Sequence, residues 1–138
     1  IARTTLTDFT SDELVDRFDH FHGESEVIIP AAGNALVNND LAGLGDQIDA
    51  SQRGAERLLG NQVPETIALA RSARELGAVA ASAFGAGFGG SVWALVPSHA
   101  SEGFVEAWRE GYLHRFSQHV TGAQFFITRA GGPATRLA

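Results

Sequence analysis

Between positions 85 and 91 the chain reads Gly85-Ala86-Gly87-Phe88-Gly89-Gly90-Ser91, almost bare backbone set between two apolar runs. The runs, residues 78–83 and 92–96, are short and bounded by glycine and proline, so they read as strands on either side of a glycine bend. Glycine admits positive φ and leaves room for a backbone to approach a ligand, so consecutive glycines at a strand edge can aim several N–H groups at one anion. Phosphate is the natural candidate, and the candidate binding residues are Gly85, Ala86, Gly87, Phe88, Gly89, Gly90 and Ser91. Four glycines in six residues exceed what a two-residue hairpin needs. Phe88 in their midst reads as an anchor that packs inward while its neighbours' amides face out. The alternative is a tight turn in which nothing binds.

The flanking sequence predicts mostly helix. Thr10-Ser11-Asp12-Glu13 has the form of a capping box, so a first helix starts there with Leu14, Phe18 and Phe21 on one side. Pro30 should not lie deep inside it, which places the start of a second helix near Glu26 and Val27 and its end at Asn38-Asn39-Asp40. Leu41, Leu44, Ile48, Ala55 and Leu58 give a third amphipathic helix terminated by Gly60-Asn61, and Pro64 opens a fourth that ends at Gly77. Ser98 is a candidate cap for a long helix with Phe104, Val105, Trp108, Tyr112 and Phe116 on one face. Residues 124–128 read as a last strand, and the tail after Arg129 should fray. This order predicts one α+β domain over residues 1–138, with a mostly antiparallel sheet and helices packed on one face.

Composition narrows the chemistry. All 10 basic residues are arginine and cysteine is absent, which excludes a Walker lysine, a Schiff base, a thiol nucleophile and a disulfide. The net charge of −6 and the scattered arginines argue against a nucleic-acid partner. No apolar run approaches the roughly 20 residues that cross a bilayer. No membrane partner and a cytoplasmic location are therefore expected. Methionine is absent even at position 1, so the chain reads as a piece of something larger.

Other constellations are weaker. His20, His22 and Glu24 suggest a metal site, but on a helix His22 points away from the other two, so a His20/Glu24 pair is the expected arrangement and no metal is assigned. Glu102, Glu106 and Glu110 step along the polar face of one helix and receive no catalytic role. No serine nucleophile elbow is present, and no catalytic residue is assigned to this chain.

The segment from Ser82 to Ser91 resembles the third signature motif of galactokinases, members of the GHMP superfamily of small-molecule kinases. Arg17-x-x-His20-x-x-x-Glu24-x-x-Val27 is similar to a helical pattern of that family, Leu6-Thr7-Asp8-Phe9 to the stretch before it, and Val63-Pro64-Glu65 to its Ser-x-Pro-Glu-Leu-Asp region. The helix ending near Tyr112, Thr121-Gly122 and the strand after it fit the galactokinase C-terminus. The resemblance implies a ferredoxin-like C-terminal domain of an ATP-dependent sugar kinase, with a monosaccharide and ATP as partners. ATP and Mg would be held mainly by an N-terminal kinase domain, absent from this sequence, that carries the catalytic residues. Gly85 to Ser91 would line the cleft and stabilise charge through backbone amides. The sequence departs from the family at Ser82 and Phe84, where galactokinases carry arginine and threonine, and at Ile67, where they carry aspartate. A stand-alone binding or regulatory module without catalysis is the alternative, and an interaction fragment with an uncovered apolar face is a third.

Overall fold

The computed structural model describes residues 9–85, 87–129 and 131–132. Helix α1, Ser11–His22, begins at a complete capping box: Thr10 Oγ1 accepts from the Glu13 amide while the Glu13 carboxylate accepts from the Thr10 amide. Those two bonds quiet the first unpaired amides of the helix. Both Thr10 donors hold the Glu13 pKa below its ordinary value, the amide contributing more than the hydroxyl.

The chain does not leave the helix before Pro30. It passes through a π-helical stretch, Gly23–Ile28, directly into α2, Ile29–Val37. The Ile29 amide reaches back to the Glu24 carbonyl, one residue further than an α-helical bond. A wider turn gives the proline ring space and removes the demand for its missing N–H, so the break expected there becomes a change of pitch. Leu14, Phe18 and Phe21 do share α1, but they stay exposed, and none of its residues is buried.

Asp40 caps α3, Leu41–Gly54, by accepting from the Gly43 amide. A second π-helical stretch, Ala55–Leu59, follows and stops at Gly60 in the left-handed conformation. Pro64 opens α4, Pro64–Glu75, where proline's missing donor costs nothing. Strands β1, Ala80–Ala83, and β2, Val92–Leu95, pair antiparallel with Ala81 opposite Ala94 and Ala83 opposite Val92. A 3-10 turn at Ser98–Ala100 leads into α5, Ser101–Arg115. Ser98 is thus no side-chain cap: its carbonyl takes a bond from the Ser101 hydroxyl, and the helix winds out of the tighter turn.

The result is an α+β arrangement of helices with a small antiparallel sheet. Among the described residues the sheet has two strands, short of the ferredoxin-like sheet expected. Residues 124–128 do not pair as a strand. Phe125 instead packs edge-on against Trp108, with ring centroids 5.5 Å apart, and lies 5.7 Å from the Tyr112 ring. That aromatic contact is made without a ladder to β2.

The helices do not all lie on one face. Ala81 faces α4 and α5, in a core with Ala73, Ala78 and Trp108 that Leu69, Val92, Ala94, Val96, Phe104 and Phe125 surround. Helix α3 runs instead along the outer edge of β1. Gln52 Oε1 accepts from both the Ala83 amide and the Ser82 hydroxyl at 3.0 Å, filling the position a neighbouring strand would occupy. Gly45 makes the approach possible, since a Cβ there would collide with the Val79 carbonyl. Arg74 closes the corner: its Nε pairs with Asp49 at 3.0 Å, and its Nη1 donates to the Ala78 and Val79 carbonyls. No helix of the described residues is long and apolar enough to cross a membrane.

Replacing Arg74 with methionine keeps the stem but strands two carbonyls and the Asp49 carboxylate. The expected loss of unfolding free energy is about 1–3 kcal/mol, read as a shifted urea midpoint with unchanged slope. A midpoint like that of the parent chain would show that this corner holds nothing together.

Candidate functional site

The Phe84 amide donates to the Ser91 carbonyl at 2.8 Å, closing the hairpin that β1 and β2 begin. Everything between is loop. Gly85, Gly87, Gly89 and Gly90 have φ of 65°, 82°, 113° and 102°, and Phe88 itself has φ 60°. Only glycine takes such angles cheaply, and a phenylalanine there carries strain of about 1–2 kcal/mol. Ala86 lies outside the described residues.

Phe88 is not an inward anchor. Its side chain is 74% exposed, while its amide donates to the carbonyl of Asn61. The main chain does the anchoring, because Gly87 lies so close to Asn61 that a Cβ would collide with that residue's carbonyl and side chain. The ring is thereby turned outward. Asn61 is itself only 6% exposed, and its Oδ1 accepts from Gln62 Nε2 at 2.9 Å. Gln62 Oε1 in turn accepts from the Thr66 hydroxyl, which also accepts from the Val63 amide at the start of α4. The tip of the glycine loop is thus tied, through one residue, to the N-terminal turn of a helix.

An open cleft of about 1040 Å³ runs beside this loop. Phe84, Phe88, Gly89, Gly90 and Ser91 form one wall, and β2 the floor. Helices α4 and α5 contribute Leu69, Phe104, Trp108 and Tyr112, and residues 122–129 form the far side. Of the predicted loop residues, Gly85 and Gly87 fall outside the lining of this cleft. Trp108 is held rigidly, its Nε1 donating to the Leu69 carbonyl at 3.1 Å and to the Ser72 hydroxyl at 3.2 Å.

A polar strap crosses one end of the cleft. His119 Nε2 donates to Glu65 Oε1 at 3.2 Å, and the Tyr112 ring stacks on the imidazole with centroids 6.2 Å apart. The bond from His119 holds the Glu65 pKa below its ordinary 4.5, helped by the glutamate's own backbone amide. Burial raises the Tyr112 pKa, and the charge on Glu65 raises it further. Arg129 is the arginine that lines the cleft among the described residues.

His20 and Glu24 form an i,i+4 pair at 3.9 Å, as their spacing indicates. Among the described residues no three of His, Asp or Glu converge as a metal site would require. Glu102, Glu106 and Glu110 are exposed on α5. Sequence reasoning missed Gln52 and Asn61. Neither belongs to a spaced motif, and Asn61 reads merely as part of a helix stop after Gly60.

Residues 34–114, more than half of the chain, match the family described as GHMP kinases C terminal. The match runs from within α2 through the glycine loop to the last turn of α5. No individual curated protein matches the chain significantly.

Two outcomes follow from this geometry. Gly87→Ala forces the loop away from Asn61 as well as straining φ, so it should destabilise the chain by more than the roughly 1–2 kcal/mol expected of the open position Gly89→Ala; equal urea midpoints would refute the tether. Glu65 has its folded pKa lowered, so its contribution to stability is fully present above pH 4.5 and disappears as pH falls through the lowered value. Glu65→Gln should therefore flatten the stability profile below pH 4.5. An unchanged profile between the two proteins would rule out the strap.

Proposed function

Since this chain belongs to the GHMP kinases, by their C-terminal region, we propose that it is the C-terminal part of an ATP-dependent sugar kinase resembling galactokinase. Its reaction is transfer of the terminal phosphoryl group of ATP to a monosaccharide hydroxyl. The observation that carries this reading is the placement of the glycine loop: a glycine-rich bend with one outward phenylalanine forms a wall of the open cleft of about 1040 Å³. Phosphoryl transfer asks for little covalent participation from a protein; it asks for positioning and for dipoles that meet negative charge. Gly89 and Gly90 bring main chain to the cleft wall with nothing standing where a Cβ would be. Their amides are the proposed donors to the phosphates.

The residues at hand fit the phosphate end of this chemistry and not the metal. The loop offers amides, whereas among the described residues no three of His, Asp or Glu converge as a metal site. Mg and the body of ATP accordingly fall to an N-terminal kinase domain, the proposed partner of this chain in a cytoplasmic enzyme. In the assembled protein the sheet is ferredoxin-like, and residues 124–128, which already border β2 across the cleft, are its candidate further strand.

A second reading is favoured by one specific feature. Ser82 is committed to Gln52, and Phe84 is a half-exposed ring, so neither supplies the cation and hydroxyl that galactokinases place before this loop. A module that senses a small anion without chemistry would tolerate their loss. The deciding measurement is ADP release by the full-length protein with ATP, Mg and a panel of monosaccharides. Sugar-dependent turnover, reduced about 10²-fold by Gly89→Ala because a Cβ at φ 113° strains the loop and shifts its amide off the phosphate, on the scale of one misplaced donor, is the expected result. Failure of every sugar, with micromolar binding of ATP or a sugar phosphate by the isolated chain, would overturn catalysis in favour of the sensor.

A further inference from the structure

Helix α1 is inverted for a helix that packs on its own domain. It lies against the second π-helical stretch, and the side turned that way is polar. His20 sits so near the backbone that a Cβ on Gly54 would stand 3.0 Å from its ring, and it pairs with Glu24. The apolar stripe faces outward instead. Leu14, Phe18 and Phe21 recur at intervals of four and three, the spacing of a seam between two helices. Phe18 and Phe21 are 63% and 68% exposed, and Val15 beside them is exposed as well. An amphipathic helix ordinarily buries this face against its own core. A contiguous apolar patch left in water marks an interaction surface.

Charge decides what can cover it. Residues 11–37 hold six carboxylates and one arginine. That arginine, Arg17, lies over the Phe9 ring at 4.9 Å. Asp12 and Asp19 stand three and four residues from Val15, so they form the row bordering the apolar stripe, with Asp16 between them. None of these three aspartates has an ion-pair partner among the described residues. A second copy of the chain would bring the same carboxylates, and an anionic lipid surface would bring more negative charge, so both are repelled. A helix with lysine or arginine along the border of its own apolar stripe is attracted. Its cations meet the aspartates while its apolar side chains cover the phenylalanines.

We infer that α1 is the docking surface for a basic amphipathic helix of a partner protein, packed along Leu14, Phe18 and Phe21 with its cations on Asp12 and Asp19. No residue of α1 lines the cleft beside the glycine loop, so docking is independent of phosphoryl transfer.

The test is isothermal titration of the full-length protein with a helical peptide of leucine and lysine on a heptad repeat, and with its leucine and glutamate counterpart. Saturable one-to-one binding of the lysine peptide alone is expected. Phe18→Ser with Phe21→Ser should weaken it roughly tenfold or more, as truncation of central aromatic contacts does. Asp12→Asn with Asp19→Asn should weaken it roughly two- to thirtyfold at low salt, the range of two exposed ion pairs. Glu102→Gln with Glu106→Gln removes as much charge from α5 and should change nothing, which separates docking from general attraction to an acidic protein. All these side chains are exposed, and the aspartate pair keeps the test open if the phenylalanine pair fails to fold. Equal binding of both peptides, an equal loss in the α5 variant, or indifference to the α1 variants that fold would overturn the assignment. So would no saturable binding, as when another domain already covers α1. A dimer that Phe18→Ser dissolves, or pelleting with phosphatidylserine vesicles that the same change abolishes, would give the face to a second copy or to lipid and overturn it too.

Discussion

The outer edge of β1 is sealed by side chains instead of by a strand, and the rest of the arrangement follows from that seal. A four-residue strand with an alanine-rich sequence has little apolar surface to bury. It gains its place by letting a helix come very near. Gly45 removes the Cβ that would collide with the Val79 carbonyl, Gln52 takes the Ala83 amide, and Arg74 takes two carbonyls at the strand's approach. Gln52 and Arg74 each answer main-chain groups that would otherwise be buried unpaired, which is the dominant cost of placing a helix against a sheet edge. Small residues and long polar side chains are therefore complementary here: the first create proximity, and the second make it tolerable.

The same logic shapes the glycine loop. Proximity at Gly87 allows the Phe88 amide to reach Asn61, and the ring of Phe88 is expelled as a consequence. A loop held by main chain from behind is free to present main chain in front. That division explains how a segment so poor in side chains keeps one conformation beside an open cleft, and it distinguishes glycines needed for contact, such as Gly87, from those needed for φ alone, such as Gly89 and Gly90.

Much of this was legible from residue order because it rests on local rules. Thr10 and Glu13, Asp40, Gly60, Pro64 and Gly77 mark helix ends for reasons internal to a single turn, and the apolar runs flanking the glycines are strands in register. What escaped depends on distant partners. Gln52 meets residues 30 positions away, and Trp108 meets Leu69 at a separation of 39. Residues 124–128 have strand-like composition, yet the rings of Trp108 and Tyr112 hold Phe125 and the segment does not pair. The position of Phe88 was misread for a similar reason: burial of a lone aromatic depends on what the neighbouring amide is bonded to.

The two wide turns carry an implication for how this chain tolerates change in length. A helical turn that holds an extra residue rotates everything after it by about 100°, so the apolar faces before and after it fall out of phase. Pro30 is why α1 and α2 read as separate helices, and the phase slip is how the backbone passes it without leaving its spiral. Each bulge behaves as an insertion that the spiral has swallowed whole, and deleting one residue from either would restore an even pitch while turning every helical face after it away from its present neighbours. Such spots are therefore poor places to trim a sequence, however redundant they look in a helix.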